Sequence, residues 1–169
     1  MSIPSSIKII PITEKHIESF HACLDSVARE KIYIGGVQAR PLESTHEFVL
    51  NNIKEKYPQN IAVFNDMVVG WCDIIPKKGI DFKHCGVLGM GVHKDYRRKG
   101  IGSTLLDATL AGAREFGLER VELEVYTSNT VAIRLYEKYG FQFEGIKRKA
   151  RKLEDKYYDI QIMAKFLNQ

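Results

Sequence analysis

The sequence predicts a mixed α/β domain with one central sheet, and three observations lead to this fold class. The 169 residues fit one domain, and a content of 44% hydrophobic and 27% charged residues is ordinary for a globular protein. Apolar residues recur at helical spacing in some segments and alternate with polar residues in others. Late in the chain these segments follow one another as strand, helix, strand, helix and strand, an order that indicates helices packed on a sheet.

The first predicted elements are a strand, a helix and a loop. The strand covers residues 7–10 and stops at Pro11. Thr13 then offers an N-cap for a helix. The apolar residues of this helix follow at helical spacing: Ile17, Phe20, Leu24 and Val27. Residues 33–41, which contain two adjacent glycines, are predicted to form a loop.

A second helix and a β-hairpin are predicted next. The helix is expected from about Ser44 to Tyr57. Its inner face is predicted to consist of four residues: Phe48, Val49, Ile53 and Tyr57. The hairpin joins strands over 61–64 and 67–75 through Asn65 and Asp66.

The second half of the chain is predicted to contain four strands and two helices. Residues 87–92 form a strand in which Gly89 and Gly91 mark a bulge or a close approach of another group to the backbone. The remaining elements are a helix over 101–116 that ends at Gly117, a strand over 121–126, a helix over 130–139 that ends at Gly140, and strands over 141–144 and 157–164.

The composition excludes several functional classes. A net charge of +4 favours anionic ligands without marking a nucleic-acid binder. The three cysteines show no paired spacing, which predicts free thiols in a reducing compartment. With no cationic-then-apolar leader and no apolar run near ~18 residues, we expect a cytoplasmic protein without a membrane segment. The five histidines have no metal-ligand spacing, so no metal site is predicted.

A basic, glycine-containing segment stands directly before the predicted helix 101–116. It reads HKDYRRKGIGSTLL from His93 to Leu106 and places three cations ahead of Gly100 and Gly102. A helix N-terminus carries unpaired N–H groups and a partial positive charge, and glycines let a ligand approach the backbone. The segment therefore predicts an anion site, for a phosphate above all, or else a basic loop that caps a helix without a ligand. A Walker loop does not fit its spelling, and a dinucleotide fingerprint fails because Leu105 stands where a third glycine is required.

The same segment resembles the acetyl-CoA motif of the GNAT N-acetyltransferases. That motif reads Arg/Gln-x-x-Gly-x-Gly/Ala, with Arg97, Gly100 and Gly102 at its defining positions. Residues 128–141, SNTVAIRLYEKYGF, are similar to the family's Asn-x-x-Ala-x-x-Leu-Tyr-x-x-x-Gly-Phe segment. Because the two motifs occur in order and at the usual separation, the chain is identified as a member of this family over nearly its whole length.

The resemblance implies a single GNAT domain over residues 1–169, with a mixed sheet of about seven strands flanked by about four helices. It also implies acetyl-CoA as co-substrate, held in a wedge between two splayed strands, and no metal. The pyrophosphate of CoA is expected on one loop: Arg97, Arg98, Lys99, Gly100, Ile101, Gly102 and Ser103. The pantetheine arm is expected to pair with one strand at Met90, Gly91 and Val92.

Three positions in these motifs depart from the common family residue or have two candidate roles. Lys94 stands where the family frequently has proline, and Arg98 stands where it frequently has glycine, although neither change removes a backbone N–H. Arg98 either contacts a phosphate or is solvated. Asn129 hydrogen-bonds the CoA arm, caps the helix that follows it, or does both.

The reaction that the resemblance implies is attack of a neutral amine on a thioester, which calls for a base and an acid. Alternation along 121–126 puts Glu122, Glu124 and Tyr126 on one face. Glu124 fits the base best, because family members that acetylate protein N-termini carry a base in the same Leu-Glu-Val spelling; the alternative is an ordinary exposed glutamate. Tyr136 is the expected acid for the departing sulfur, and the alternative is a core aromatic residue.

The acceptor side is expected within residues 17–57, with Tyr33, Gln38 and Arg40 as candidates. The last strand resembles that of family members acting on small amines or amino acids, which favours a primary amine of this kind. The alternatives are acetylation of a protein N-terminus and a CoA-binding sensor without turnover. The run IKRKARK over 146–152 is predicted as a solvated turn between the last two strands, so a nucleic-acid partner is not expected. A homodimer is left open.

Overall fold

The structure is a computed structural model that describes Pro4 and residues 6–167. These residues form a seven-stranded sheet with four α-helices, which confirms the predicted fold class. The strands are β1 (Lys8–Pro11), β2 (Gln59–Phe64), β3 (Met67–Pro76), β4 (Cys85–Val92), β5 (Arg120–Tyr126), β6 (Gln142–Leu153) and β7 (Lys156–Phe166). The helices are α1 (Ile17–Ala28), α2 (Leu42–Lys54), α3 (Ile101–Phe116) and α4 (Thr130–Lys138). The predicted domain bounds of 1–169 include residues 1–3, 5, 168 and 169, which lie outside the described part.

Helices cover both faces of the sheet, whose strand order is β1-β2-β3-β4-β5-β7-β6. All neighbouring strands are antiparallel except β4 and β5, which are parallel. One face, here called the α3 face, packs α3 and α4 on a core that includes Leu105, Leu106, Leu123, Tyr136 and Met163. The opposite face, the α1 face, packs α1 and α2 on a core that includes Ile17, Phe20, Val49, Ile61 and Trp71.

The parallel strands β4 and β5 separate soon after they meet. Their ladder consists of Cys85–Arg120, Gly86–Val121 and Val87–Glu122, and within the described residues the last five positions of β4 have no partner on β5. The predicted splayed strand pair is therefore confirmed. Helices α3 and α4 start at the open end of this gap, where β4 and β5 run out.

Of the two roles predicted for the glycines of β4, a bulge and a close approach to the backbone, the bulge is wrong. The register between β3 and β4 is unbroken from Pro76–Gly86 to Gly70–Val92. The glycines of β4 serve close packing instead, since a Cβ on Gly91 would overlap the ring of Trp71 on β3. Splaying arises because β4 follows β3 and leaves β5, without any extra residue in the strand.

The predicted inner face of the second helix is also wrong in part. Helix α2 begins at Leu42 after Pro41, and its buried residues are Thr45, Val49 and Asn52. Phe48 and Ile53 lie on its flanks, each 37% exposed. Polar residues occupy the inner face because they find partners there: Thr45 Oγ1 lies 3.0 Å from Nδ1 of His21, and Asn52 Nδ2 donates to Gln59 Oε1 at 2.9 Å. Tyr57 lies beyond the helix and contacts Phe116 edge-on.

The basic run 146–152 is part of strand β6 and not a turn. The turn of the β6–β7 hairpin is Glu154-Asp155, both in left-handed conformation, and the register shifts between Lys147 and Arg151. The other residues of the run are exposed, as predicted, whereas the half-buried Arg151 donates to the main-chain carbonyls of Lys31 at 2.6 Å and Gly36 at 2.8 Å. The hairpin is thereby fastened to the loop between α1 and α2. Charge density alone suggested a turn, whereas the apolar partner strand β7 extends the ladder.

Candidate active site

A cavity of about 930 Å³ occupies the gap between β4 and β5. Its lining comes from both faces of the sheet, because the gap passes through the sheet. Leu88, Met90, Val125 and Tyr136 line it on the α3 face. On the α1 face it is lined by Gly89, Gly91, Glu124, Tyr126 and the α1–α2 loop residues Ile32, Tyr33, Ile34 and Gly35.

The loop before α3 lies at one end of this cavity. Gly100 is the N-cap of α3 with φ 76°, and the first intrahelical bond runs from Thr104 N to Gly100 O at 3.1 Å. The amides of Ile101, Gly102 and Ser103 therefore precede the helical ladder and have no partner within it. A Cβ on Gly102 would meet Met90 and Leu135 at 3.5 and 3.6 Å, which is ordinary contact, so packing alone does not demand glycine there. The loop thus fits a bound pyrophosphate.

The three cations of the loop have different surroundings. Arg97 Nε donates to Val92 O at 2.9 Å, and its guanidinium binds both carboxylate oxygens of Glu30 and lies 4.4 Å from the ring centre of Tyr33. Hydrogen bonding to Glu30 raises the pKa of Arg97. Arg98 and Lys99 are exposed. Sequence reasoning missed Glu30, and no local signal could have found it, because it lies 67 residues from Arg97.

Arg98 adopts a left-handed conformation with φ 61°. This conformation costs an ordinary residue roughly 1–2 kcal/mol, which explains physically why glycine suits the position. Arg98 is exposed and is among the residues that line the cavity. It therefore adds positive charge near the cavity mouth at a small cost in stability.

Asn129 and Tyr136 both line the cavity from α4. Asn129 Oδ1 accepts from Ala132 N at 3.3 Å, which confirms its predicted role as an N-cap. Tyr136 is buried and packs against Phe141, with ring centres 5.7 Å apart. Its hydroxyl has no hydrogen-bonding partner among the described residues, and burial raises the pKa of its phenol, so the hydroxyl keeps its proton.

The three residues predicted to share one face of β5 differ in their partners. Glu122 is ion-paired with Lys77 and with Arg120, the latter at 3.5 Å, and it does not line the cavity. Glu124 lines the cavity and its exposed carboxylate binds Lys147 of β6. Tyr126 is buried with its ring against Tyr158. Of the two carboxylates, only Glu124 can reach a ligand in the gap.

The acceptor candidates are only partly brought together. Tyr33 lines the cavity, whereas Gln38 and Arg40 are exposed and lie outside its lining. Sequence reasoning missed Ile32 and Ile34, which flank Tyr33 in the lining. Their apolar character inside a glycine-containing loop was an available signal.

The described residues offer neither a cluster of metal ligands nor a reactive thiol. Within Pro4 and residues 6–167, no group of three histidine, cysteine or acidic side chains is placed to hold a metal ion. The same residues include no helix with the length and apolar character needed to cross a bilayer. All three cysteines are free and buried, and burial raises the pKa of Cys23 to about 12, so this thiol is not a nucleophile at neutral pH.

Comparison with known proteins agrees with this geometry. The acetyltransferase (GNAT) family matches residues 20–141. The chain is 29% identical over 108 residues to the L-amino acid N-acetyltransferase AaaT of Escherichia coli (strain K12), covering 63% of this chain and 67% of that protein. It is 34% identical over 93 residues to an N-alpha-acetyltransferase of Saccharolobus solfataricus, covering 48% of this chain and 54% of that protein. The matches thus span about half to two thirds of these relatives.

A solved structure shows the same fold. The phosphinothricin acetyltransferase of Sinorhizobium meliloti in complex with acetyl-CoA superposes with a TM-score of 0.88 at 13% identity, covering 95% of this chain and 88% of that one. The family match covers strands β2 to β5 and helices α2 to α4, and it includes both motifs around the gap. This chain therefore belongs to the GNAT family and is an acyltransferase.

Proposed function

We propose that the protein transfers the acetyl group of acetyl-CoA to the primary amine of an amino acid or another small molecule. The observation that carries the proposal is the cavity through the splayed sheet. It joins the unpaired amides before α3 to a region on the α1 face lined by Tyr33, Glu124 and Tyr126. Two substrates can therefore meet in the gap between β4 and β5.

The residues that would hold acetyl-CoA follow from this placement. The amides of Gly100, Ile101, Gly102 and Ser103 suit the pyrophosphate, and the exposed Arg98 and Lys99 add positive charge. The unpaired edge of β4 at Met90-Gly91-Val92 suits the pantetheine arm as an added strand. Arg97 has a structural role instead, because its side chain is bound to Glu30 and fixes the loop to the end of α1. Asn129 caps α4 and would also contact the CoA arm.

The chemistry asks for one proton acceptor and one proton donor. Acetyl-CoA supplies a thioester whose carbonyl carbon the amine attacks. Glu124, which lines the cavity from the α1 face, would receive the amine proton, directly or through water. Tyr136 holds its proton on the opposite face and can give it to the departing sulfur.

The enclosure of the acceptor region supports a small acceptor. Arg151 fastens the β6–β7 hairpin to the α1–α2 loop, and Lys31 Nζ binds Glu154 Oε1 at 2.7 Å. These contacts hold the hairpin, whose Tyr158 lines the cavity, against the loop, whose Tyr33 lines it too. The similarity to the L-amino acid N-acetyltransferase AaaT supports the same class of acceptor. Acetylation of a protein N-terminus is the second candidate, supported by the Leu-Glu-Val spelling around Glu124 and by the N-alpha-acetyltransferase relative.

Thiol release from acetyl-CoA tests the proposal. We expect saturable release with at least one of the twenty free L-amino acids or of a panel of small primary amines, and mass spectrometry should detect the acetylated acceptor. An alanine-initiated peptide serves as the probe for the second candidate. Turnover with the peptide alone would favour N-terminal acetylation. Tight acetyl-CoA binding without turnover on any acceptor would instead indicate a CoA-binding sensor.

Glu124→Gln is expected to reduce kcat/KM for the amine by ~10²–10⁴ near neutral pH, because the variant cannot accept a proton. Activity should recover in part as pH rises and more of the amine is already neutral. Lys147→Gln is the matched control, since removing either residue breaks the same ion pair. Equal losses of kcat/KM in the two variants would show that the ion pair supports the structure and that Glu124 is not the base.

A further inference from the structure

Asp73 is a buried carboxylate without a protein partner. It lies on β3, its side chain is on the α1 face, and the residue is 8% exposed. Among the described residues, no group forms a hydrogen bond or an ion pair with its carboxyl group, and burial raises the pKa of Asp73 to about 7. Among the described residues the one fully buried side-chain atom without a partner is Gln59 Nε2, so the Asp73 carboxyl group keeps some contact with solvent. An unpaired carboxyl group in so buried a residue still calls for an explanation.

Asp73 does not line the cavity itself, but its carboxyl group lies next to Gly89, which does. Its partner on β4 is Gly89, which lines the cavity two residues after the last β4–β5 pair, Val87–Glu122. A Cβ on Gly89 would lie 3.3 Å from Asp73 Oδ1. A larger side chain at position 89 would therefore stand between the carboxyl group and the cavity. Glycine leaves that path open.

The neighbouring strand adds a second unpaired group. Gln59 is the partner of Asp73 on β2 and is also buried. Its Oε1 accepts from Asn52, but within the described residues its Nε2 has no partner. Residues paired across antiparallel strands lie close enough for their side chains to interact, yet these two side chains do not bond each other. Gln59 Nε2, under α2, is therefore left with a hydrogen to donate.

Charge distribution on this face indicates which ligand Asp73 would take. Glu122 is neutralised by Lys77 and Arg120, and Glu124 is paired with Lys147. No such protein cation accompanies Asp73 among the residues described. A buried carboxylate that the protein itself does not compensate is suited to a cation that arrives with the substrate.

We infer that Asp73 is a specificity-determining residue of the acceptor site, whose carboxylate pairs with the primary ammonium group of the incoming acceptor. The inference rests on the proposed amine acetylation and deepens it, since it adds a recognition group on β3 to the base on β5. Acceptors are then bound as cations at the point where β4 leaves β5. They lose their proton only after they are held.

Asp73→Asn tests this inference, because asparagine keeps the shape and removes the charge. For the amino acid with the highest turnover among the twenty, we expect KM to rise ~10- to 100-fold, as for a lost charge-assisted hydrogen bond, with KM for acetyl-CoA unchanged. Aminoacetonitrile, an amine that is uncharged at neutral pH, should show little difference between wild type and variant. A melting curve at pH 8 should show the variant at least as stable, because an unpaired buried charge is removed.

Asp81→Asn, which removes one carboxylate from an exposed loop, controls for the change in net charge. If Asp73→Asn does not fold, Asp73→Ser is measured in the same way. Unchanged KM for the amino acid in a folded variant, with wild-type turnover intact, overturns the inference and leaves the proposed function standing. An equal loss with aminoacetonitrile also overturns it, because the effect would not depend on charge. Absence of turnover by wild type on every acceptor overturns both.

Discussion

Gly100→Asp is expected to abolish measurable acetyl-CoA binding, with a loss of affinity of about 100-fold or more, while the protein stays folded. Gly100 is the N-cap of α3. Aspartate is a preferred N-cap residue, so its side chain would accept hydrogen bonds from the amides of Gly102 or Ser103, which offsets part of the strain that the positive φ at position 100 imposes on a side chain. The same carboxylate would then occupy the position proposed for the pyrophosphate and repel its negative charge. Each charge-assisted hydrogen bond lost costs ~1.5–3 kcal/mol.

Calorimetric titration with acetyl-CoA measures this effect, and a melting curve verifies the fold. Gly100→Asn is the matched variant, because asparagine also caps the helix and tolerates a positive φ but carries no charge. It should lose less affinity than aspartate. Arg98→Ala should cost far less than either, since exposed charges contribute ~0–1 kcal/mol. Undiminished binding by Gly100→Asp would show that the loop before α3 does not bind acetyl-CoA.

Tyr136→Phe is expected to lower kcat by ~10–10³, with KM for acetyl-CoA and the melting temperature little changed. A thiol leaves readily as its thiolate, because the ordinary pKa of a thiol is about 8.5, so the need for an acid is modest. Positioning of the amine against the thioester lowers the activation barrier by more, ~7–11 kcal/mol, and this substitution does not alter it. Stability should be retained because the hydroxyl of Tyr136 has no partner among the described residues, so its removal leaves no broken hydrogen bond there.

Tyr139 on the same helical segment provides the matched control. Its hydroxyl lies 3.0 Å from Ser103 O and 2.9 Å from Asp107 Oδ2. Tyr139→Phe should therefore cost about 1 kcal/mol of stability and leave the chemical step intact. Wild-type kcat in Tyr136→Phe at every pH would show that Tyr136 is only a core aromatic residue.

The parts of the fold that could be predicted are those governed by local rules. Helix α3 begins and ends where the glycines at 100 and 117 indicated, and the β2–β3 hairpin turns at Asn65-Asp66, both in left-handed conformation. The splayed pair was expected from the family resemblance and is present. Each of these features depends on backbone preference or on a motif of contiguous residues.

The parts that could not be predicted depend on partners distant in sequence. The inner face of α2 is polar because Asn52 finds Gln59 on another element. Arg151 is held by the carbonyl group of Lys31, 120 residues away, which no charge pattern within 146–152 could reveal. The sequence did hold a signal for Asp73, since it is the single charged residue in the apolar strand Met67–Pro76. Its lack of a partner is visible only in three dimensions.

The passage of the cavity through the sheet has a kinetic consequence. Because the cavity is lined from both faces of the sheet, the sites proposed for acetyl-CoA and for the amine can be occupied together, and neither substrate has to leave before the other binds. A ternary complex can therefore form, and initial-rate plots against the two substrates should intersect. The buried thiol of Cys23, with its pKa raised to about 12, offers no relay for a double-displacement route.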